Sequence, residues 1–167
     1  MSNLLFNTGS GAKFSDCGKY RFALWRIWDE NKPLVMFIGL NPSTANAYTD
    51  DATIRRVKRF AADWGYGGVY MMNCFPYIST DPQQLKDFGN TSENDKWMHD
   101  IAGKCSMIIF AWGNFEIARA RGKELAALFP GAHALQINKN GSPKHPLYCA
   151  GDLKPILYQK TNVNVKN

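Results

Sequence analysis

Nowhere in its 167 residues does the chain carry the roughly 18 uninterrupted apolar residues that a membrane-spanning helix needs. Its first residues, Met1 to Asn7, have no charged stretch leading into an apolar run of the kind that directs secretion. These two absences lead to the expectation of a soluble, cytoplasmic protein with no membrane partner. The cysteines are few and scattered: Cys17, Cys74, Cys105 and Cys149 form no Cys-x-x-Cys pair and have no histidine at ligand spacing, which argues for reduced thiols and against a structural zinc site. No Gly-Lys-Ser/Thr closes a glycine-rich loop, so a P-loop is excluded. A metal-dependent phosphate-ester hydrolase would need a carboxylate cluster that the sequence does not assemble.

What is present suits one packed domain. Hydrophobic residues make up 45% of the chain and charged residues 20%, enough to bury a core but cramped for two domains. With no repeat or low-complexity linker, the reading is a single α/β domain over residues 1–160 and a loose tail over residues 161–167. The net charge of +6 favours a polyanion such as nucleic acid or a nucleotide, although the same charge would serve as a solvated surface.

Apolar runs alternate with helical periodicity. The aromatic and branched stretch Tyr20 to Trp28, the turn-forming Asp29-Glu30-Asn31-Lys32-Pro33 and the run Leu34 to Leu40 read as a hairpin. Continuous apolarity in the second arm marks a strand covered on both faces. Further strands are expected at Gly68 to Phe75, Ser106 to Trp112 and Ala132 to Ile137. Helices are expected at Thr53 to Trp64, capped by Asp51, at Thr91 to Gly103 with Trp97, Met98 and Ile101 inward, and at Phe115 to Phe129 with Ile117, Ala120, Leu125 and Leu128 inward. The pattern predicts a three-layer αβα domain around a central, mainly parallel four-stranded sheet, with an antiparallel N-terminal hairpin strand.

Ligands of such folds sit outside the carboxyl ends of the strands, so the residues after each apolar run are the candidates. Gly39, Asn41, Pro42, Ser43 and Thr44 offer backbone donors and short polar side chains between a strand and a helix, equally good chemistry for an anion site and for a tight turn with a helix cap. Asn73 ends a strand with an amide able to read one edge of a planar base or to bind a neighbouring loop. His145 could donate to developing negative charge. Asp50 or Asp51 could orient a water, against the competing role of Asp51 as a cap. Trp112 and Asn114 follow the third run. Arg55 and Arg56 on the first helix, with Lys139 and Lys144 in a late loop, are candidates for phosphate contacts or for solvated surface.

Taken together, Leu40-Asn41-Pro42-Ser43-Thr44-Ala45, Asp50 to Arg56, Trp64-Gly65-Tyr66-Gly67-Gly68, Asn73 to Pro82, Trp112-Gly113 and His145-Pro146-Leu147-Tyr148 resemble the domain-of-unknown-function family numbered 1643 over about Tyr20 to Pro155. The motif order is also similar, more distantly, to the uracil-DNA glycosylase superfamily and its mismatch-specific branch. That resemblance implies a glycosylase-like fold and cleavage of an N-glycosidic bond on a flipped-out nucleobase, with no cofactor. It implies a water-positioning role for Asn41, base reading by Asn73 and a leaving-group contact for His145. Phe75, Tyr77 or Tyr148 would be the stacking platform. Ser43 departs from the glycine of the superfamily's first motif, and Leu147 and Tyr148 depart from its serine-bearing last motif. A binding module that recognises a nucleotide or modified base without reacting is the alternative.

Overall fold

The continuously apolar segment Leu34–Gly39 becomes a central strand, β3, buried along all but its first residue. The computed structural model describes residues 9–85 and 91–159. Around β3 the chain builds one seven-stranded sheet in the order β1-β2-β4-β3-β5-β6-β7, from Gly9–Phe14 (β1), Arg21–Ile27 (β2), Gly68–Asn73 (β4), Met107–Phe110 (β5), His133–Ala134 (β6) and Ile156–Leu157 (β7). The tail over residues 161–167 lies outside the described residues.

The α/β class is as expected, while the sheet is larger and more mixed than a mainly parallel four-stranded one. β4, β3, β5 and β6 pair in parallel, and the ladders β1–β2, β2–β4 and β6–β7 are antiparallel. The predicted hairpin between Tyr20–Trp28 and Leu34–Leu40 does not form. β4 lies between those two segments, and the hairpin partner of β2 is β1, in register from Gly9↔Ile27 to Lys13↔Ala23. Local turn signals at residues 29–33 could not reveal this insertion, because a parallel ladder between β3 and β4 (Leu34↔Gly68 to Gly39↔Asn73) buries both faces of two apolar strands at once.

Helix α1 (Ala52–Asp63) starts where expected: Asp51 caps it by accepting the Ile54 N–H at 2.9 Å. Ile54, Val57, Phe60 and Ala61 face inward and pack with Val35, Phe37, Val69 and Met71 on one face of the sheet. On the other face Met98 and Ile101 of α2 (Thr91–Ala102), with Leu125 and Ala126 of α3 (Arg119–Leu128), cover Met36, Ile38, Tyr70 and Phe110. Each such fully buried large side chain contributes about 1.5–3 kcal/mol. The third helix opens as a single 3-10 turn at Glu116–Ala118, and its inward face differs from the expected one. Arg121 and Gly122 are buried there while Leu128 is 53% exposed. A guanidinium is tolerated because Asp95 and Glu124 bind its ends and its Nε donates to the Cys74 carbonyl at 3.0 Å.

The loop after β3 leads to α1 on one face, and the loops after β4 and β5 lead to α2 and α3 on the other. Divergent connections from adjacent parallel strands open a crevice at their carboxyl ends. No helix among the described residues is long and apolar enough to cross a membrane.

Candidate functional site

A cleft of about 150 Å³ occupies this crevice. Its floor is Gly39 and Asn73, the last residues of β3 and β4, which are Cα partners in the parallel ladder. Asn41 and Ser43 of the following loop, Asp51 at the start of α1 and His145 from a loop about 70 residues after Asn73 in the chain complete the polar wall. Six of the residues singled out in the sequence therefore meet in one hollow.

The loops are fixed by specific bonds. The Asn41 side-chain Nδ2 donates to the carbonyls of Pro42, Tyr77 and Ser79 at 3.0, 3.3 and 2.9 Å. That arrangement assigns the amide nitrogen to the loops and turns Oδ1, an acceptor, away from them. Asn73 is 2% exposed and its Nδ2 is buried with no partner among the described residues. Its backbone carbonyl accepts from Asn94 Nδ2 at 2.8 Å, so α2 holds the end of β4. Glycine at position 39 is a matter of close approach: a Cβ there would lie 2.7 Å from Met71 Cε and 3.0 Å from Asn73 Oδ1.

His145 sits in its wall with Nδ1 accepting the Leu147 N–H at 3.1 Å. Burial holds the imidazole below its usual 6.5, against the opposing pull of Asp51. The ring is therefore neutral at neutral pH, and its proton is on Nε2, an outward donor. Gly113, with φ +84, lets the backbone pass close to the histidine, since a Cβ there would meet His145 Cβ at 3.4 Å. Arg56 seats the loop from the other side by donating to the carbonyls of Cys149 and, at 3.4 Å, Pro146.

Other candidates lie elsewhere. Asp50 is outside the cleft, bound to Arg26 Nε and Lys58 Nζ at 2.8 Å each. Burial pushes its carboxyl up, but the hydrogen bonds and charges of Lys58 and Arg26 outweigh this and hold it below the ordinary value. Arg56 is engaged with the His145 loop and stacks over Phe60 at 5.3 Å, so it is a staple and not a surface cation. Phe75 is core. Tyr77 bridges to Tyr20, with ring centroids 6.0 Å apart. Trp112, 2% exposed, and Asn114 border a neighbouring groove of about 340 Å³ that shares Phe115 with the cleft. Tyr148 is 76% exposed beside His145, with centroids 5.9 Å apart. Pro42 is buried, Thr44, Arg55 and Lys139 are exposed and Lys144 is half-buried, none of them lining the cleft.

Sequence reasoning missed Arg21, Ser79, Thr80 and Phe115, all in the lining. Arg21 carried a signal: it begins a strand whose every residue is buried, an unusual place for a guanidinium. The others come from loops whose reach a linear pattern does not show.

The fold and cleft define a mixed α/β protein with a small polar pocket at its strand ends. Residues 21–147 match the family described as protein of unknown function DUF1643, and the chain belongs to that family. No curated protein and no solved structure matches it significantly. Among the described residues no group of three or more His, Cys, Asp or Glu side chains is placed to hold a metal ion.

Proposed function

We propose that the protein is a nucleobase-directed hydrolase of glycosylase-like, three-layer architecture, which takes the base of a nucleotide, in DNA or free, into the cleft and cleaves its N-glycosidic bond. The observation that carries this reading is the convergence of Asn41, Asn73, Asp51 and His145 on one hollow, with the imidazole held as a neutral Nε2–H donor. Enclosing pockets for drug-sized ligands run to roughly 300–1,000 Å³, so a 150 Å³ cleft suits a single ring and not a whole nucleotide. The sugar and phosphate then remain at the mouth, near the exposed Tyr148.

In the reaction the C1′–N bond breaks with its electron pair leaving on the base, and a water adds to the sugar cation. Asn41 Oδ1 accepts a hydrogen bond that orients the water, and the Asp51 carboxylate oxygen not used in the cap takes the one proton the water loses as its oxygen bonds to C1′. Asn73 Nδ2 and His145 Nε2–H bind the carbonyl oxygens of the departing base, which takes up a proton after release. Exposed Arg55 and Lys139 are the cations available for phosphates. The capping bond that occupies one Asp51 oxygen favours a second reading, a module that binds the base without reacting.

A gel assay on oligonucleotides and free nucleosides carrying uracil, hydroxymethyluracil, hypoxanthine and alkylated bases tests the proposal. Abasic product or released base from any member supports it. Intact substrate throughout, together with retained binding, assigns the module.

A further inference from the structure

Among the described residues three arginine side chains are buried, Arg21 at 2%, Arg26 at 5% and Arg121 at 6% exposure, and two of them are fully provided for. Arg26 has the Asp50 carboxylate at 2.8 Å and the carbonyls of Trp25, Asn46 and Thr49. Arg121 has Asp95, Glu124 and the Cys74 carbonyl. Among the described residues the Arg21 side chain has one bond, from Nη1 to the Ala45 carbonyl at 3.1 Å. Its Nε is buried with no partner, and no carboxylate forms an ion pair with it among the described residues. It is also the only one of the three that lines the cleft.

A buried cation without a counter-ion is costly, and an unmade hydrogen bond at a buried donor costs about 1–3 kcal/mol. The same cleft floor holds a second orphan, Asn73 Nδ2, on the strand next to that of Arg21. Burial lowers the Arg21 guanidinium to about 10, with Asp51 pulling it up and Arg26 pushing it down, so it remains a cation at neutral pH. Asp51 faces it from the start of α1 and His145 from the opposite loop, the latter neutral. The cleft is thus rich in donors and has a charge that its own walls do not neutralise by contact.

We infer that Arg21 is the counter-ion for a negatively charged planar ring seated in the cleft, one whose ring N–H is acidic and flanked by carbonyl oxygens, with Asn73 donating to the same ligand. The inference deepens the reading above, in which that ring is the base leaving as its nitrogen anion. The guanidinium then stabilises the electron pair that departs with the base, a charge absent from the intact glycoside. Arg21 would act on the reacting group itself, through a charge that the neutral imidazole cannot supply.

The test is calorimetric titration of the full chain with fluorouracil and with azauracil, each compared with its form methylated on both ring nitrogens, which cannot ionise, at one mildly alkaline pH and constant ionic strength. Wild type binds the ionisable rings, and Arg21→Met weakens them roughly 10- to 100-fold, as loss of a charged hydrogen bond implies, while the methylated rings are little affected. Without ligand, Arg21→Met is at least as heat-stable as wild type because an uncompensated charge has been removed. Asp51→Asn keeps the helix cap but removes the competing carboxylate, and it binds the anions more tightly than wild type. Equal anion affinity in Arg21→Met, no binding of either ring, a marked loss of stability in Arg21→Met, or no tightening in Asp51→Asn each overturns the inference. The two proposals fail separately. Anion binding through Arg21 with no base release in any assay removes the hydrolase and leaves the counter-ion, whereas base release undiminished in Arg21→Met removes the counter-ion and leaves the hydrolase.

Discussion

Leu147 donates its backbone N–H to His145 Nδ1 at 3.1 Å, so two residues of one short loop decide which nitrogen of the imidazole faces the ligand. A ring protonated on both nitrogens cannot accept that bond. The loop geometry and the neutral state therefore support each other, and burial adds to both.

The pH dependence follows from this. The folded His145 titrates below the usual 6.5, so the unfolded chain binds the proton first as pH falls. The stabilisation is complete above about 6.5 and is lost between that pH and the lower folded value. Base release should hold as pH falls from neutral through 6.5 and drop only below it. His145→Asn retains an acceptor for the Leu147 N–H but offers a different donor geometry. It should fold, lose base release roughly 100-fold and show a flatter melting temperature between neutral and mildly acidic pH.

Arg56 is expected to act through His145. Its guanidinium ties the carbonyls of Pro146 and Cys149 to α1, each bond contributing about 1 kcal/mol. Arg56→Met should keep the fold, since its stem still packs on Phe60, while base release slows and the acidic limb of the pH profile moves toward neutrality as His145 becomes better solvated. An unchanged pH profile would mean that the staple does not hold the ring.

Asp50 is expected to matter for stability and not for chemistry. It is the carboxylate partner of the buried Arg26, and Asp50→Asn leaves that guanidinium with carbonyls alone, at a cost of about 3 kcal/mol. Its carboxyl is held below the ordinary value. The contribution is therefore present above about pH 4, the unfolded value, and is lost as pH falls through the folded one. Denaturant melts of wild type should show that acid limb and melts of Asp50→Asn should lack it.

Much of this architecture was legible because it is written in local patterns. The Asp51 cap and the Ile54, Val57 and Ala61 stripe place α1 without reference to the rest of the chain, and the apolar runs locate β3, β4 and β5. Strand order was not legible. The β2–β4 and β3–β4 ladders join segments that only the complete sheet brings together, and the turn at residues 29–33 pointed to the wrong partner for β2. In the cleft, the rule that ligands sit at strand ends found Gly39, Asn41, Asn73 and His145. It gave no means of separating Asp50 from Asp51, neighbours in sequence whose side chains serve an ion-pair network and the cleft respectively. The pairing of the buried arginines was not legible for a related reason: whether a strand guanidinium has a counter-ion depends on carboxylates contributed by other segments, as Asp50 is for Arg26.

Gly39 offers a test of the cleft floor that leaves its polar groups in place. In Gly39→Ala the new methyl meets Met71 Cε at 2.7 Å and Asn73 Oδ1 at 3.0 Å. The methionine end can swing aside, so overpacking should cost no more than about 1–3 kcal/mol and the melting temperature should fall by a few degrees. The Asn73 amide has less freedom, being 2% exposed, and its displacement turns the orphan Nδ2 away from the ligand. Ring binding should weaken by roughly tenfold, the equivalent of one hydrogen bond. Because the methyl acts through Asn73, the two changes should not add: Gly39→Ala combined with Asn73→Ala should bind no more weakly than Asn73→Ala alone. Fully additive losses in that cycle would show that Gly39 shapes the ligand's seat directly and that Asn73 does not read the ring.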